Sequence, residues 1–133
     1  MPQHEQEKPR FPYMPFYVDD WLSSDTVESF TLEQQGAYIL LLARQWKAPD
    51  GKLPKDEKLL ARWSRLGARW RTVGRPIIRK CFVERGDGLV NPRCRALWET
   101  LKQKSRKAKD AAEIRWEQER QRQLMLSDNG GEK

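Results

Sequence analysis

Turn-forming residues cut the middle of this chain into short segments, and this punctuation limits its folds more than any other feature. Pro49-Asp50-Gly51 closes one helical stretch, Gly67 a second, and Gly86-Asp87-Gly88 folds a third region back on itself. Pro92 suits the first turn of a last helix. What lies between the breaks is mostly helical in period, so the expected fold is mainly α with a small β hairpin.

A long helix is expected to start at Thr31, an N-cap with Gln34 placed to complete a capping box. Leu32, Ala37, Tyr38, Leu41, Leu42, Gln45 and Trp46 follow at near-helical spacing, a wide face that belongs at the centre of a fold. Leu53, between Lys52 and Pro54, reads as a short bridging strand. Pro54 and Asp56 begin a second helix through Leu59, Leu60, Trp63 and Leu66, and Gly67 stops it. A third helical region spans Ala68–Phe82. Its wheel puts Trp70, Val73, Ile77 and Cys81 on one side and Arg71, Arg75 and Arg79 on another. Pro76 costs ~3 kcal/mol in mid-helix and little in a first turn, so the helix either starts near Thr72 or kinks at Arg75. Phe82–Arg85 and Leu89–Asn91 pair as a hairpin with an Asp-Gly turn signal. From Pro92 a helix is expected to Leu126, with an early apolar stripe of Leu97, Trp98, Leu101 and Ala108 that fades into charge.

Upstream, residues 1–12 are polar with Pro2, Pro9 and Pro12 and read as a disordered lead-in. Tyr13, Phe16, Tyr17 and Trp21 are expected to pack as core, with Phe16–Val18 a short strand and Asp19 or Asp20 opening a helical turn through Leu22. The organisation is then a winged-helix-like domain over 13–92, a long basic C-terminal helix over 93–126 and a disordered tail over 127–133. In a winged helix the third helix enters the major groove and the hairpin contacts the backbone.

The charge is uneven. From Arg62 to Lys107 the chain carries 14 basic residues and only Glu84, Asp87 and Glu99, a net of +11 against +7 for all 133 residues. A step this steep points to a polyanion, and nucleic acid is the commonest. Arg71, Arg75 and Arg79 would face DNA, reading guanine edges or clamping phosphates. Arg62, Arg65 and the wing's Arg85 would hold phosphates, and Arg69, Lys80 and Arg93 extend the same series. Lys102, Lys104, Arg106 and Lys107 continue it on the last helix. Duplex DNA is the favoured partner.

Several chemistries are poorly served. The only histidine is His4, so no His–Cys zinc site and no Ser–His or Cys–His pairing fits inside the fold. No Gly-rich phosphate loop is present, and the acidic pairs Asp19–Asp20 and Asp56–Glu57 suit helix starts better than a metal. No catalysis and no cofactor is expected. Cys81 and Cys94 read as two free thiols, one buried in a helix face. No apolar run reaches ~18 residues and the N-terminus has no apolar stretch, so neither a membrane span nor a secretory signal is expected, and a bacterial cytoplasm is the simplest compartment.

Met14–Ser24 (MPFYVDDWLSS), Gly36–Trp46 (GAYILLLARQW), Asp50–Pro54 (DGKLP), Arg75–Phe82 (RPIIRKCF) and Asp87–Arg93 (DGLVNPR) together resemble the YdaU-like family of phage and prophage proteins. The resemblance covers Tyr13 to Trp116, and Lys104–Trp116 is similar to the basic, alanine-rich tail after that family's core. It implies a winged-helix-like domain similar to the N-terminal domains of phage replisome organisers, hence DNA binding in replication initiation or its regulation. It implies no catalytic residues. Longer members of that family append a C-terminal region, and in this sequence only a basic helix and a tail are expected after the core. The competing reading is a small phage interaction protein whose basic helix docks on a host or phage protein or a nucleoprotein complex, for example as an inhibitor. Leu97, Leu101, Ala108 and Ala112 allow a dimer through that helix as well as a monomer on a larger assembly.

Overall fold

A computed structural model describes residues 11–131, with side chains described through residue 127. The chain falls into two compact units, Met1–Trp98 and Glu99–Lys133. In chain order the elements are α1 (Val18–Ser23), α2 (Asp25–Ser29), α3 (Leu32–Lys47), β1 (Leu53–Pro54), α4 (Glu57–Trp63), a tight turn at Gly67–Arg69, a wide turn at Trp70–Gly74, α5 (Arg75–Cys81), β2 (Val83–Arg85), β3 (Gly88–Val90) and α6 (Pro92–Gly131). The architecture is mainly α with a small antiparallel sheet of order β1-β3-β2. From α3 to β3 the element order is winged-helix-like.

α3 forms where its caps say it should. The Thr31 hydroxyl accepts from the Gln34 amide at 3.1 Å, and the Gln34 side chain accepts from the Thr31 amide at 3.0 Å. Ala37, Leu41 and Trp46 are buried along its inner face, and Leu41 is 0% exposed. Phe30, Leu53, Leu60, Trp70, Ile77 and Leu89 close the core around it. Leu53 of β1 stands opposite Leu89, and Val83 of β2 opposite Val90. No buried side-chain nitrogen or oxygen among the described residues lacks a hydrogen-bond partner.

Several local expectations shift. Phe16–Val18 is not a strand: the sheet's partners are elsewhere, and Val18 already opens α1 with Asp19 and Asp20 in its first turn. Of the upstream aromatics only Trp21 packs inward, stacking on Tyr38 at 5.6 Å between ring centroids. Tyr13, Phe16 and Tyr17 are 65%, 49% and 53% exposed. Phe11, placed in the lead-in by its sequence, is held: its carbonyl accepts from the Trp46 indole at 3.0 Å and its ring meets Trp46 and Trp98. Residues 1–10 of that lead-in lie outside the described residues, as do 132 and 133 of the expected tail.

α4 ends at Trp63, ahead of Gly67. The buried Ser64 hydroxyl donates to the Ala61 carbonyl and accepts from the Leu66 amide, and Arg65 turns into the left-handed region at φ 66°. The region after it is not one helix. The Arg75 amide bonds the Trp70 carbonyl five residues back, which makes 70–74 a wide turn, and α5 restarts at Arg75 with Pro76 harmless in its first turn. Gly74 permits this: a Cβ there would sit 2.1 Å from Cε3 of the Trp70 indole. In the hairpin, Arg85 pairs with Gly88, so the turn residues are Gly86-Asp87 and not Asp87-Gly88. Gly86 takes φ 59°, as the first position of a Gly-X hairpin turn requires. Gly88 serves close approach instead, since a Cβ on it would lie 2.8 Å from the Leu53 carbonyl oxygen. α6 runs past Leu126 to Gly131.

Candidate nucleic-acid interface

The basic residues singled out by the sequence separate into three kinds once their neighbours are known. The first kind holds the fold. Arg75 grips Glu57 with Nε at 2.7 Å from Oε1 and Nη2 at 2.8 Å from Oε2, a bidentate pair across 18 positions of sequence. The Trp70 indole N–H donates to the same carboxylate at 3.1 Å. These hydrogen bonds, Arg75's first and Trp70's second, bring the Glu57 carboxyl down to about 2, with the Arg71 charge adding to the effect. Arg69 pairs with Glu33 of α3 at 2.5 Å, and Arg93 at the start of α6 pairs with Asp20 of α1. Lys80 lies over the Phe30 ring, 5.7 Å from its centroid.

The second kind is exposed and has no ion-pair partner among the described residues: Arg62 in the last turn of α4, Arg65 just after it, Arg71 in the wide turn, Arg79 in the last turn of α5 and Arg85 at the end of β2. The expected array Arg71, Arg75, Arg79 on one helix face is therefore corrected. Arg71 precedes α5, and the guanidinium of Arg75 is committed to Glu57. α4, the tight turn and the wide turn pack against one another, so Arg62, Arg65 and Arg71 ride on neighbouring elements.

The third kind belongs to α6. Lys104, Arg106 and Lys107 are exposed and have no ion pair among the described residues, and Lys102 is half-buried. Further along, Arg120 and Arg122 pair with Glu117 and Glu119 within the helix.

Two lysines were missed. Lys52 reaches Asp87 at 3.7 Å and Lys55 reaches Glu84 at 3.5 Å, so the wing's own acids are neutralised by residues flanking β1. Their signal was their place beside Leu53, but pairing β1 to the hairpin is needed to see it. Asn91, at the exit of the hairpin, does more than end a strand. Its Oδ1 accepts from the Cys94 amide, and its Nδ2 donates to the Tyr38 hydroxyl at 3.0 Å and the Cys81 carbonyl at 2.7 Å. Its amide donates to Gln45 Oε1 at 2.7 Å and its carbonyl accepts from Gln45 Nε2 at 3.2 Å. This knot ties wing, α3 and α6 together and sets where Arg85 and Arg93 stand.

Cys81 and Cys94 are free thiols. Burial raises both and pushes Cys94 up to about 12, so neither is a thiolate near neutral pH. Among the described residues no group of three or more His, Cys, Asp or Glu side chains could hold a metal ion, and no helix is long and apolar enough to cross a membrane.

A family model described as "Protein of unknown function (DUF1376)" matches residues 12–99. No curated protein and no solved structure matches the chain.

Proposed function

The chain belongs to the DUF1376 family, and from that premise we propose that it is a nucleic-acid-binding protein of winged-helix type, encoded by a phage or prophage and acting in DNA replication initiation or its regulation. The observation that carries the binding is the set of exposed arginines without an ion-pair partner among the described residues: Arg62, Arg65, Arg71, Arg79 and Arg85, on the helical elements and the hairpin. In a chain that pairs Arg69, Arg75 and Arg93 internally, leaving these five in solvent favours a polyanion on the other side.

Arg65 adds a second support. A non-glycine residue in the left-handed region costs roughly 1 kcal/mol, and glycine would remove that cost. An arginine held there is better explained by what it contacts than by the backbone it fits. The replication role rests on the resemblance of Met14–Ser24 and Asp87–Arg93 to the phage proteins.

The test is duplex DNA binding across a salt series. Five phosphate contacts give a slope of log K on log salt of about −4.5. Arg65→Gly is expected to raise the unfolding midpoint slightly while making that slope shallower by about 0.9. A flat salt dependence in the unaltered protein sinks the proposal.

A further inference from the structure

Reading a DNA sequence takes more than positive charge, and the first unit offers little beyond charge. In helix-turn-helix docking the first residues of the recognition helix reach base edges, about three or four side chains in all. Here that helix is α5, with the sequence RPIIRKC. It carries no Asn or Gln to pair with adenine and no Asp or Glu to accept from cytosine. Its first turn holds no free donor. Arg75 presents Nε and Nη2 to Glu57 at 2.7 and 2.8 Å, and a guanine edge would need the same fork. Pro76 has no amide hydrogen, and Ile77 is 0% exposed. Ile78 and Cys81 pack against the core, and Lys80 lies over the Phe30 ring. Of the seven residues, only Arg79 is exposed with neither an ion pair nor a ring partner among the described residues, and it stands in the last turn.

The other outward arginines are spread over separate elements. Arg62 is in the last turn of α4, Arg65 follows that helix, Arg71 sits in the wide turn and Arg85 closes β2. Side chains set singly in this way suit the phosphates of a duplex, which fix position and carry no sequence information. The tryptophans of this region give no face for a base to stack on. Trp70 is buried, and Trp63 packs on the core with the Arg44 guanidinium 4.7 Å from its ring centroid. Lys52 and Lys55 offset Asp87 and Glu84 of the hairpin, so Arg85 can approach a phosphate without a net negative wing behind it.

We propose that the ligand of this surface is duplex DNA of any sequence, held through its phosphates, with α5 placing Arg79 on the backbone and reading no base. This rests on the nucleic-acid reading above and narrows it. Arg79 then contributes equally to every duplex, and affinity follows the number of phosphates met and the salt concentration, not the order of bases.

The experiment is repeated selection by the full chain from a pool of duplexes with a randomised centre. The selected and starting pools are then compared by fluorescence anisotropy across a salt series. No motif is expected to enrich, and the two pools are expected to bind within about tenfold of each other, where base reading typically separates them ~10³-fold or more. Arg79→Ala, at an exposed position, is expected to weaken binding to both pools by the same factor and to make the slope of log K on log salt shallower by about 0.9. One strand of the pool alone is expected to bind more weakly than its duplex, because it carries half the charge per length. An enriched motif bound beyond that tenfold range, on a steep salt slope, overturns this inference and leaves the nucleic-acid reading standing. So does an enriched position that Arg79→Ala relaxes, which would make Arg79 a reader of that base, and so does tighter binding of the single strand. A chain that retains no duplex at any salt concentration overturns both.

Discussion

In the unit that ends at Trp98, Arg69, Arg75 and Arg93 each meet an acid from a distant part of the chain: Glu33, Glu57 and Asp20. In α6 beyond it, Arg120 and Arg122 meet acids three residues away on the same helix, and Lys104, Arg106 and Lys107 have no ion pair among the described residues. The first pattern exists only in the folded unit. The second needs nothing but a helix. A single block of positive charge in the sequence thus separates into charge that holds a fold and charge that is presented outward. The family match ends at residue 99 and the first compact unit at Trp98, so the two regions also differ in what the family shares.

The sharpest way to break this contrast is through backbone packing. Gly74→Ala would place a methyl 2.1 Å from the Trp70 ring, and the ring is itself fixed by Glu57. We expect the unfolding free energy of the first unit to fall by about 3 kcal/mol, read from denaturant melts followed by tryptophan fluorescence. Ala111→Gly, on the exposed surface of α6, should cost about 1 kcal/mol and act on that helix alone. Equal effects of the two would mean that the units unfold as one.

The same contrast marks how far the sequence could be read. Caps and turns are local, so Thr31 with Gln34, the Pro49-Asp50-Gly51 stop and the Leu53 bridge were all legible. The role of Asn91 is not legible in this way, because its partner Gln45 sits 46 positions away. The wide turn at Trp70–Gly74 escaped because it depends on an indole lying against a residue without a Cβ, which no period encodes. Arg75 looks free for a ligand in sequence for the same reason: the wheel shows which side a residue takes, not that Glu57 waits there. The aromatic run from Tyr13 to Trp21 reads as core because it is apolar, yet only Trp21 stacks on the folded body, at Tyr38, and Phe16 merely leans on Trp21 while staying exposed.

Binding offers a second way to sharpen the comparison. Arg71→Ala with Arg79→Ala removes two outward charges from the first unit and breaks no ion pair among the described residues, although Arg71 adds its charge to the field on Glu57. If that unit docks on duplex DNA, the slope of log K on log salt should become shallower by about 1.8. Lys104→Ala, Arg106→Ala and Lys107→Ala together remove more charge from α6 but should change the slope less. The measurement is fluorescence anisotropy at several salt concentrations. The reverse ranking would assign the polyanion to α6 and leave the arginines of α4, α5 and the wing as a solvated face.

The smallest effect is in acid, and it separates the two kinds of ion pair most cleanly. The hydrogen bonds from Arg75 and Trp70 lower the Glu57 carboxyl from an ordinary 4.5 to about 2. A carboxyl depressed in the folded state contributes stability above its unfolded value and loses it as pH falls towards the folded one. That contribution is thus present above about pH 4.5 and drains between pH 4.5 and 2. Glu57 lies at the surface, so solvent limits its size. Glu119 is also lowered, first by its hydrogen bond from Arg122, but both residues lie on one exposed stretch of α6. Glu57→Gln should flatten the acid limb of the first unit's unfolding midpoint plotted against pH, because its carboxylate ties α4 to the wide turn and α5. Glu119→Gln should leave that limb unchanged and lower only the helical signal of α6. An acid limb unaltered by Glu57→Gln would mean that the Glu57–Arg75 pair adds nothing to folding, and Arg75 would then rejoin the arginines available to a ligand.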